Sequence, residues 1–322
     1  MKRNRILAVL AACLMIVGMT ACGNNAAPSD DGAKTYRIGI VQLAEHPALD
    51  NATNGFRDYL TEKLGDSVSF DVQNAQGEQT NCTTIVNQFV SSRVDLIMAN
   101  ATNAVKAARE ATSDIPVVGT SVTDYVSSGL IASNEAPGAN VTGASDMNPV
   151  TVQVELMKTL CPDVKTVGIV INSGEENSAI QAAEATAAFE AAGHTVKTHS
   201  VARSTENTHV VTAACSEVDA FYEPTDNLIA DNVPTMSNIT TPAGKPVICG
   251  EDGMCNNGFL ATYAISYYEM GRAAGEQAYN ILVNGADPAT TPIFFFDTSR
   301  LTLVINEENA AQLGITVPES LK

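Results

Sequence analysis

Polar side chains recur in this sequence where short β-branched runs give out. The run Tyr36–Gln42 leads into Gln42, Glu45, His46 and Pro47; later runs end at Asn74 and Gln76, at Asn100, Thr102 and Asn103, and at Thr120, Ser121 and Thr123. In the second half the same places hold Asn172, Glu176, Asn177 and Ser178, then Thr225, Asp226 and Asn227, then Glu251 and Asp252. Ser, Thr, Asn and Asp are preferred at helix starts, so each one alone reads as a cap. Together they supply two kinds of valence. Helix starts at Thr102, Ser121, Thr123 and Ser178 offer free N–H groups and partial positive charge to a carboxylate, while Asp226 or Asp252 can balance an ammonium. Such a pair of demands fits a zwitterion. His46, Leu49, Tyr222, Tyr267 and Tyr268 add surface that could sandwich a ring. The alternative is that Tyr222 fills the core at a strand end and Tyr268 packs on the outside.

Signatures of catalysis are scarce. The sequence has no G-x-S-x-G elbow, phosphate loop, H-E-x-x-H or G-x-G-x-x-G. Its four histidines are scattered, and no two cysteines have the C-x-x-C spacing of a zinc site. The expectation is no catalytic residue, no metal and no cofactor. Glu45 with His46 could form an acid–base pair, but no nucleophile or metal cluster accompanies them.

The elements that position these residues alternate. Strand patterns at Tyr36–Gln42, 67–74, Leu96–Asn100, 116–120 and 141–144 are separated by helical patterns at 49–64, Gln79–Ser92 and 102–112. The alternation restarts after residue 149, with a helix at Val150–Leu160 and strands at 166–171, 195–200, 219–222 and 246–249. Helices at 178–192, 207–216 and 225–240 lie between them. A strand at 259–264, a long helix at Tyr267–Asn284, an extended stretch at 292–306 and a short helix at Glu307–Leu313 complete the chain. Strands joined by such helices imply crossover units, so the fold class is α/β with two doubly wound parallel-sheet lobes. Ligands bind outside the carboxyl ends of such strands, which puts the function between the lobes.

Length and charge agree. The 322 residues suffice for two cores, and 18 Lys plus Arg against 36 Asp plus Glu give a formal charge of -18 that repels nucleic-acid phosphates. Residues 1–5 carry three cations, and a fourteen-residue apolar run at 6–19 is too short to span a bilayer before Thr20-Ala21-Cys22. That is the form of a secretory signal peptide, and Met19-Thr20-Ala21-Cys22-Gly23 resembles a bacterial lipobox in which Cys22 is acylated. Residues 1–21 are thus predicted to be removed, 22–35 to be a flexible tether, and the folded part to sit outside the cytoplasm, lipid-anchored to the membrane's outer face. Five cysteines remain for the folded part. Cys161 and Cys215 precede adjacent strand runs by similar intervals, which predicts a Cys161–Cys215 disulfide. Cys249 and Cys255 could close a short loop, leaving Cys82 as a buried thiol.

The segments Val41-Gln42-Leu43-Ala44-Glu45-His46-Pro47-Ala48-Leu49-Asp50, Asn74-Ala75-Gln76-Gly77, Val141-Thr142-Gly143-Ala144-Ser145-Asp146-Met147 and Pro224-Thr225-Asp226-Asn227 resemble the tryptophan/tyrosine-type substrate-binding proteins of ABC transporters. Tyr267-Tyr268-Glu269-Met270-Gly271 is similar to the matching helix start, and the likeness covers nearly all of 36–314. The resemblance implies a type I periplasmic-binding-protein fold whose lobes are joined by a three-crossing hinge, near 144–148, 264–267 and 296–300. The lobes would be 36–144 with 266–297, and 145–265 with 298–322. Family positions carried over are Glu45, His46, Thr123, Ser145, Asp146, Asn177, Ser178, Asp226 and Asp252. The sequence departs at Ala101-Thr102-Asn103, where relatives often show a threonine–proline turn, and at Gly250-Glu251-Asp252-Gly253 with its flanking cysteines. The implied protein is a monomer that captures a small solute, an aromatic amino acid such as tryptophan, tyrosine or phenylalanine, and delivers it to a membrane permease driven by a cytoplasmic ATPase. Alternatives are a nucleoside or sugar as the solute, or a sensor that presents its ligand to a membrane kinase.

Overall fold

The computed structural model describes residues 34–321; the expected signal peptide, Cys22 and nearly all of the tether lie outside them. Strands β1 (Tyr36–Gln42), β2 (Val68–Asn74), β3 (Leu96–Asn100), β4 (Val117–Val122) and β5 (Val141–Ser145) form a parallel sheet in the order β5-β4-β3-β1-β2. Helices α1 (Pro47–Leu64), α2 (Gln79–Ser92) and α3 (Thr102–Ala111) return the chain between them. The two-residue period of the strands divides the core. Val41, Ile97, Ala99 and Val117 pack with Phe89 of α2 and Val105 of α3, while Ile38, Ile40, Leu96, Met98 and Val118 pack on the opposite side with Phe56 of α1.

The second sheet repeats the plan. Strands β6 (Thr166–Asn172), β7 (Thr195–Val201), β8 (Ala220–Glu223), β9 (Val247–Cys249) and β10 (Ala261–Ala264) run parallel in the order β10-β9-β8-β6-β7. Helices α4 (Val150–Leu160) and α5 (Glu176–Ala191) contribute Val154, Met157, Ala185 and Phe189 to one face, with Val167, Ile169, Tyr222 and Ile248 from the strands. The other face takes Val170, Phe221 and Val247, against α6 (Asn207–Cys215), α7 (Asn227–Asp231), α8 (Val233–Thr240) and α9 (Asp252–Asn256).

The chain passes between the sheets three times. After β5 it enters α4; after β10 it returns to the first sheet as α10 (Tyr267–Asn284) and β11 (Phe294–Phe295), which pairs with β5. It then crosses back to β12 (Thr302–Ile305), antiparallel to β10, and ends with α11 (Glu307–Leu313). Helix α10 is pressed onto α1 through glycine. A Cβ on Gly271 would lie 2.0 Å from the Ala52 carbonyl oxygen, and one on Gly55 would lie 2.0 Å from that of Tyr268. Only hydrogen fits there, and the close crossing fixes the start of α10 over the carboxyl end of the first sheet.

Local outcomes differ from expectation in four places. The run 225–240 is two helices, because Asn232 leaves helical backbone and Pro234 falls in the first turn of α8. Helix α9 was not expected; five residues are too few to show a period. The extended stretch 292–306 divides into β11 and β12, on different sheets, around a 3-10 turn at Thr298–Arg300. The Cys161–Cys215 disulfide is not formed, and both are free thiols. Strands β6 and β8 are neighbours, as that pairing assumed, but Cys161 closes α4 on one face of the sheet and Cys215 ends α6 on the other. The sheet stands between the two sulfurs.

Candidate functional site

The carboxyl ends of both parallel sheets meet in a narrow crevice that encloses only about 10 Å³ of free space. From the first lobe and the hinge it is lined by His46, Ala48, Leu49, Ser121, Asp146 and Tyr267, and from the second by Thr225, Asp226, Asn227, Ala230, Glu251 and Met254. Local sequence places each. His46 is the extended residue before α1, and Pro47 begins the helix, so the first-turn N–H groups of Ala48 and Leu49 face the crevice without a helical partner. Ser121 has φ 56, a left-handed conformation rare for a residue with a side chain, where the register between β4 and β5 shifts. Such strain persists when the surroundings enforce it. Ser266 caps α10 by accepting the Glu269 N–H at 3.2 Å, and Tyr267 follows it into the crevice.

The carboxylates differ in what their oxygens already do. Asp226 caps α7 by accepting the Ile229 N–H (3.0 Å), and its other oxygen accepts the Asn172 N–H (2.6 Å). Glu251 accepts the Met254 N–H at 3.0 Å through Oε1, and Asp146 accepts the Tyr267 hydroxyl at 2.9 Å through Oδ2. Asp146 Oδ1, Glu251 Oε2, His46 Nδ1 and Ser121 Oγ are buried with no partner. Ser178, fully buried, lies against the Asp226 carboxyl and helps hold it ionised. Among the described residues no Lys or Arg lines the crevice. Burial therefore pushes the carboxyls up: Asp146 to about 6, Asp226 to about 7 with the Glu175 charge adding to the rise, and Glu251 to about 8 with Asp252 adding. Burial lowers the pKa of His46, against the raising effect of its Asn227 bond. A site with three carboxyls held near their titration range and no cation is built for a guest that brings positive charge.

Side chains also join the lobes directly. His46 Nε2 lies 3.1 Å from Asn227 Oδ1, Asn103 Nδ2 donates to the Gly174 carbonyl (3.3 Å), and Lys106 pairs with Glu176. Gln181 Nε2 donates to Thr123 Oγ1 across the gap (2.7 Å) and to Thr225 Oγ1 on its own side.

Of the residues predicted from sequence, His46, Ser121, Asp146, Asp226 and Tyr267 line the crevice, while Glu45, Asn74 and Asn103 border a wider cleft at its mouth. Others spend their valences inside the fold. Gln42 bonds Ala44, Asp50 and Thr53; Ser145 bonds Thr123 O and Met147 N; Asn177 donates to Thr225 O. Thr102 is buried at the start of α3, and Thr123 accepts from Gln181 and lies against the Asp146 carboxyl. Asp252 stands one position from the lining residue. Tyr222 is a correction: it packs against Phe189 in the core beneath the sheet, its β8 position pointing it away from the crevice. Tyr268 binds Asp58 on the outside of the lobe. Glu251 stands among the strand-end polar residues of the sequence but is not assigned to the ligand there, and Gln181 is not singled out. Gln181 could have been found, because it lies one turn beyond Ser178 on the buried stripe of an alanine-rich helix.

The sequence matches the family of ABC transporter substrate binding proteins over residues 37–322. The chain is 36% identical, over 98% of its length and 93% of the relative's, to the "Tyrosine-binding protein" of Clostridioides difficile (strain R20291). A Streptococcus pneumoniae ABC domain crystallised with L-Trp is 39% identical and superimposes with a TM-score of 0.86, covering 89% of this chain and 97% of that one. The ligand-free, open structure of a substrate-binding protein with adhesive properties from Clostridium difficile is 35% identical, with 88% and 97% covered, yet superimposes at 0.68. At similar identity and coverage, the lobes here are arranged more as in the L-Trp complex than as in the open form. Two mostly parallel sheets linked by three crossings are the type I periplasmic-binding-protein fold, in a family of extracytoplasmic solute-binding proteins rather than enzymes. The chain belongs to the substrate-binding proteins of ABC transporters.

Proposed function

We propose that the crevice takes an aromatic amino acid, tyrosine or tryptophan first and phenylalanine next, as its zwitterion. The observation that carries this is the set of unmatched buried atoms: Asp146 Oδ1 and Glu251 Oε2 as acceptors, with the Ser121 hydroxyl and the first turn of α1 lining the same crevice. The ammonium goes to the two carboxylates and the ligand carboxylate to the hydroxyl and the Ala48 and Leu49 N–H groups. Leu49, Ala230 and Met254 then meet the ring, a thioether against an aromatic being a favourable contact. The tyrosine-binding and L-Trp-bound relatives support this class of guest. Asp226, predicted from sequence as the ammonium's partner, lines the crevice and also holds the β6 and α7 backbone in place.

The lobes would close over the guest by hinge motion, because a ligand that touches both lobes binds the closed state better than the open one. The closed receptor, acting as a monomer anchored through acylated Cys22, would deliver the amino acid to a membrane permease. Calorimetric titration with amino acids, nucleosides and sugars tests the assignment. Tyrosine, tryptophan or phenylalanine should bind, and their amides and N-acetyl derivatives should not. Binding of a nucleoside or sugar in their place would overturn it. Replacing Cys22 with serine should release the protein from the membrane fraction.

A further inference from the structure

Cys249 and Cys255 are free thiols in this structure like the other three cysteines, but differ from them in lying beside one another. Cys249 is the last residue of β9 and Cys255 lies in α9. Both side chains are fully buried in the same cluster, with Met254 and Phe259, on one face of the second sheet. The two thiols are close enough to interact, with Cys249 Sγ reaching the Glu251 carbonyl at 3.4 Å and the Ala261 carbonyl at 3.7 Å, and Cys255 Sγ the Val304 carbonyl at 3.6 Å. Cys82 and Cys161 belong to other clusters, and Cys215 is half-buried at the end of α6. The turn between the pair, 250–254, carries Glu251 and Met254, which line the crevice. It is held elsewhere by the Gly250 N–H donating to the Glu223 carbonyl at 2.8 Å.

We propose that Cys249 and Cys255 are the partners of a disulfide, closed as the chain folds outside the cytoplasm, that staples the Glu251 turn to the end of β9. The oxidant is a protein disulfide donor. The Cys249 thiolate attacks a donor sulfur and expels one donor thiolate, giving a mixed disulfide; Cys255, on losing its proton, attacks Cys249 Sγ and expels the second. Two protein thiols thereby lose two electrons and two protons, and the donor disulfide becomes a dithiol. The exchange belongs to folding because neither sulfur is accessible afterwards and burial holds the Cys249 thiol well above its ordinary pKa. The proposal rests on the extracytoplasmic placement of the family and not on which guest is bound.

The test is thiol mapping of the lipoprotein isolated from membranes and denatured directly into an alkylating reagent. The expected result is alkylation of Cys82, Cys161 and Cys215 alone, with the peptide containing both Cys249 and Cys255 lighter by two hydrogens. Reductant should then expose all five and lower the melting temperature by a few degrees. Cys249→Ser with Cys255→Ser should show the lowered temperature without responding to reductant. Five alkylated thiols in the isolated protein, a bond joining any other pair, or a melting temperature indifferent to reductant would each overturn the proposal. Should the double variant fail to fold, the map of the natural protein decides by itself.

Discussion

Asp146→Asn separates what the crevice costs the empty protein from what it gives the ligand. Asparagine keeps an oxygen for the Tyr267 hydroxyl, now 2.9 Å from Oδ2, and removes the charge from a side chain that is only 5% exposed. Burial raises the Asp146 carboxyl from 3.8 to about 6, so the native state holds a proton that the unfolded state has released between those values. Stability therefore falls as pH rises through that window, and stays lowered above it. At about 1.4 kcal/mol per pKa unit, the ionised carboxylate destabilises the empty protein by roughly 3 kcal/mol at pH 8 and by nothing below pH 4. The variant should melt about 6 °C higher than the natural protein at pH 8, at roughly 2 °C per kcal/mol for a chain this size, and alike at pH 4. Comparing the two proteins at each pH cancels His46, whose lowered pKa makes both lose stability as pH falls below about 6.5. With ligand the order reverses, since an ammonium losing its carboxylate forfeits roughly 2 to 5 kcal/mol of affinity. Scanning calorimetry at both pH values and titration with tyrosine read the two effects. A variant that melts no higher at pH 8, or that binds tyrosine undiminished, would refute the reasoning.

Ligand uptake should release protons, because an ammonium among Asp146, Asp226 and Glu251 draws down carboxyls that sit at about 6, 7 and 8 when the crevice is empty. Affinity should rise from pH 5 to pH 8, and binding heats at pH 7 should differ between phosphate and Tris; equal heats in the two buffers would count against the linkage. Gly271→Ala should destabilise by more than the ~1–3 kcal/mol typical of overpacking, since its Cβ would meet the Ala52 carbonyl rather than a movable side chain. A thermal scan matching the natural protein would show that α1 and α10 can part. Gln181→Ala removes the bond to Thr123 across the lobes without touching the ligand's proposed partners, and should weaken tyrosine binding about tenfold or less. Small-angle scattering should show the unliganded variant more extended, and an unchanged profile would assign closure to other contacts.

The architecture was legible because strand and helix periods differ and the chain keeps to both. Tyr36–Gln42, Gln79–Ser92 and Tyr267–Asn284 have the bounds their patterns imply, down to the residue. Legibility failed where an element is too short to have a period, as in α9, or where one interruption outweighs propensity, as at Asn232 and Pro234. For the crevice, polar residues at strand ends led to His46, Ser121, Asp146, Asp226 and Tyr267, but could not say which of them would have an atom to spare. Gln42 and Ser145 look equivalent in sequence and are saturated by neighbours within their own lobe. Glu251 and Asp252 are neighbours in sequence, and which of them lines the crevice is set by the cap of a five-residue helix, a tertiary fact. The misassigned disulfide has the same root. Spacing along the chain located Cys161 and Cys215 near one end of neighbouring strands, and the face each helix would choose was not written there.

The direct contacts of His46 with Asn227 and of Thr123 with Gln181 ask for no cargo. A receptor able to shut on nothing is in part hidden from its solute, so its apparent dissociation constant is the intrinsic one divided by the fraction of molecules still agape. It also wears the outline of a laden molecule while vacant, so a downstream reader of that outline alone would waste encounters on impostors. Telling full from void then falls to whatever the occupant itself alters, and the charge of the buried carboxyl trio is the first such quantity to change.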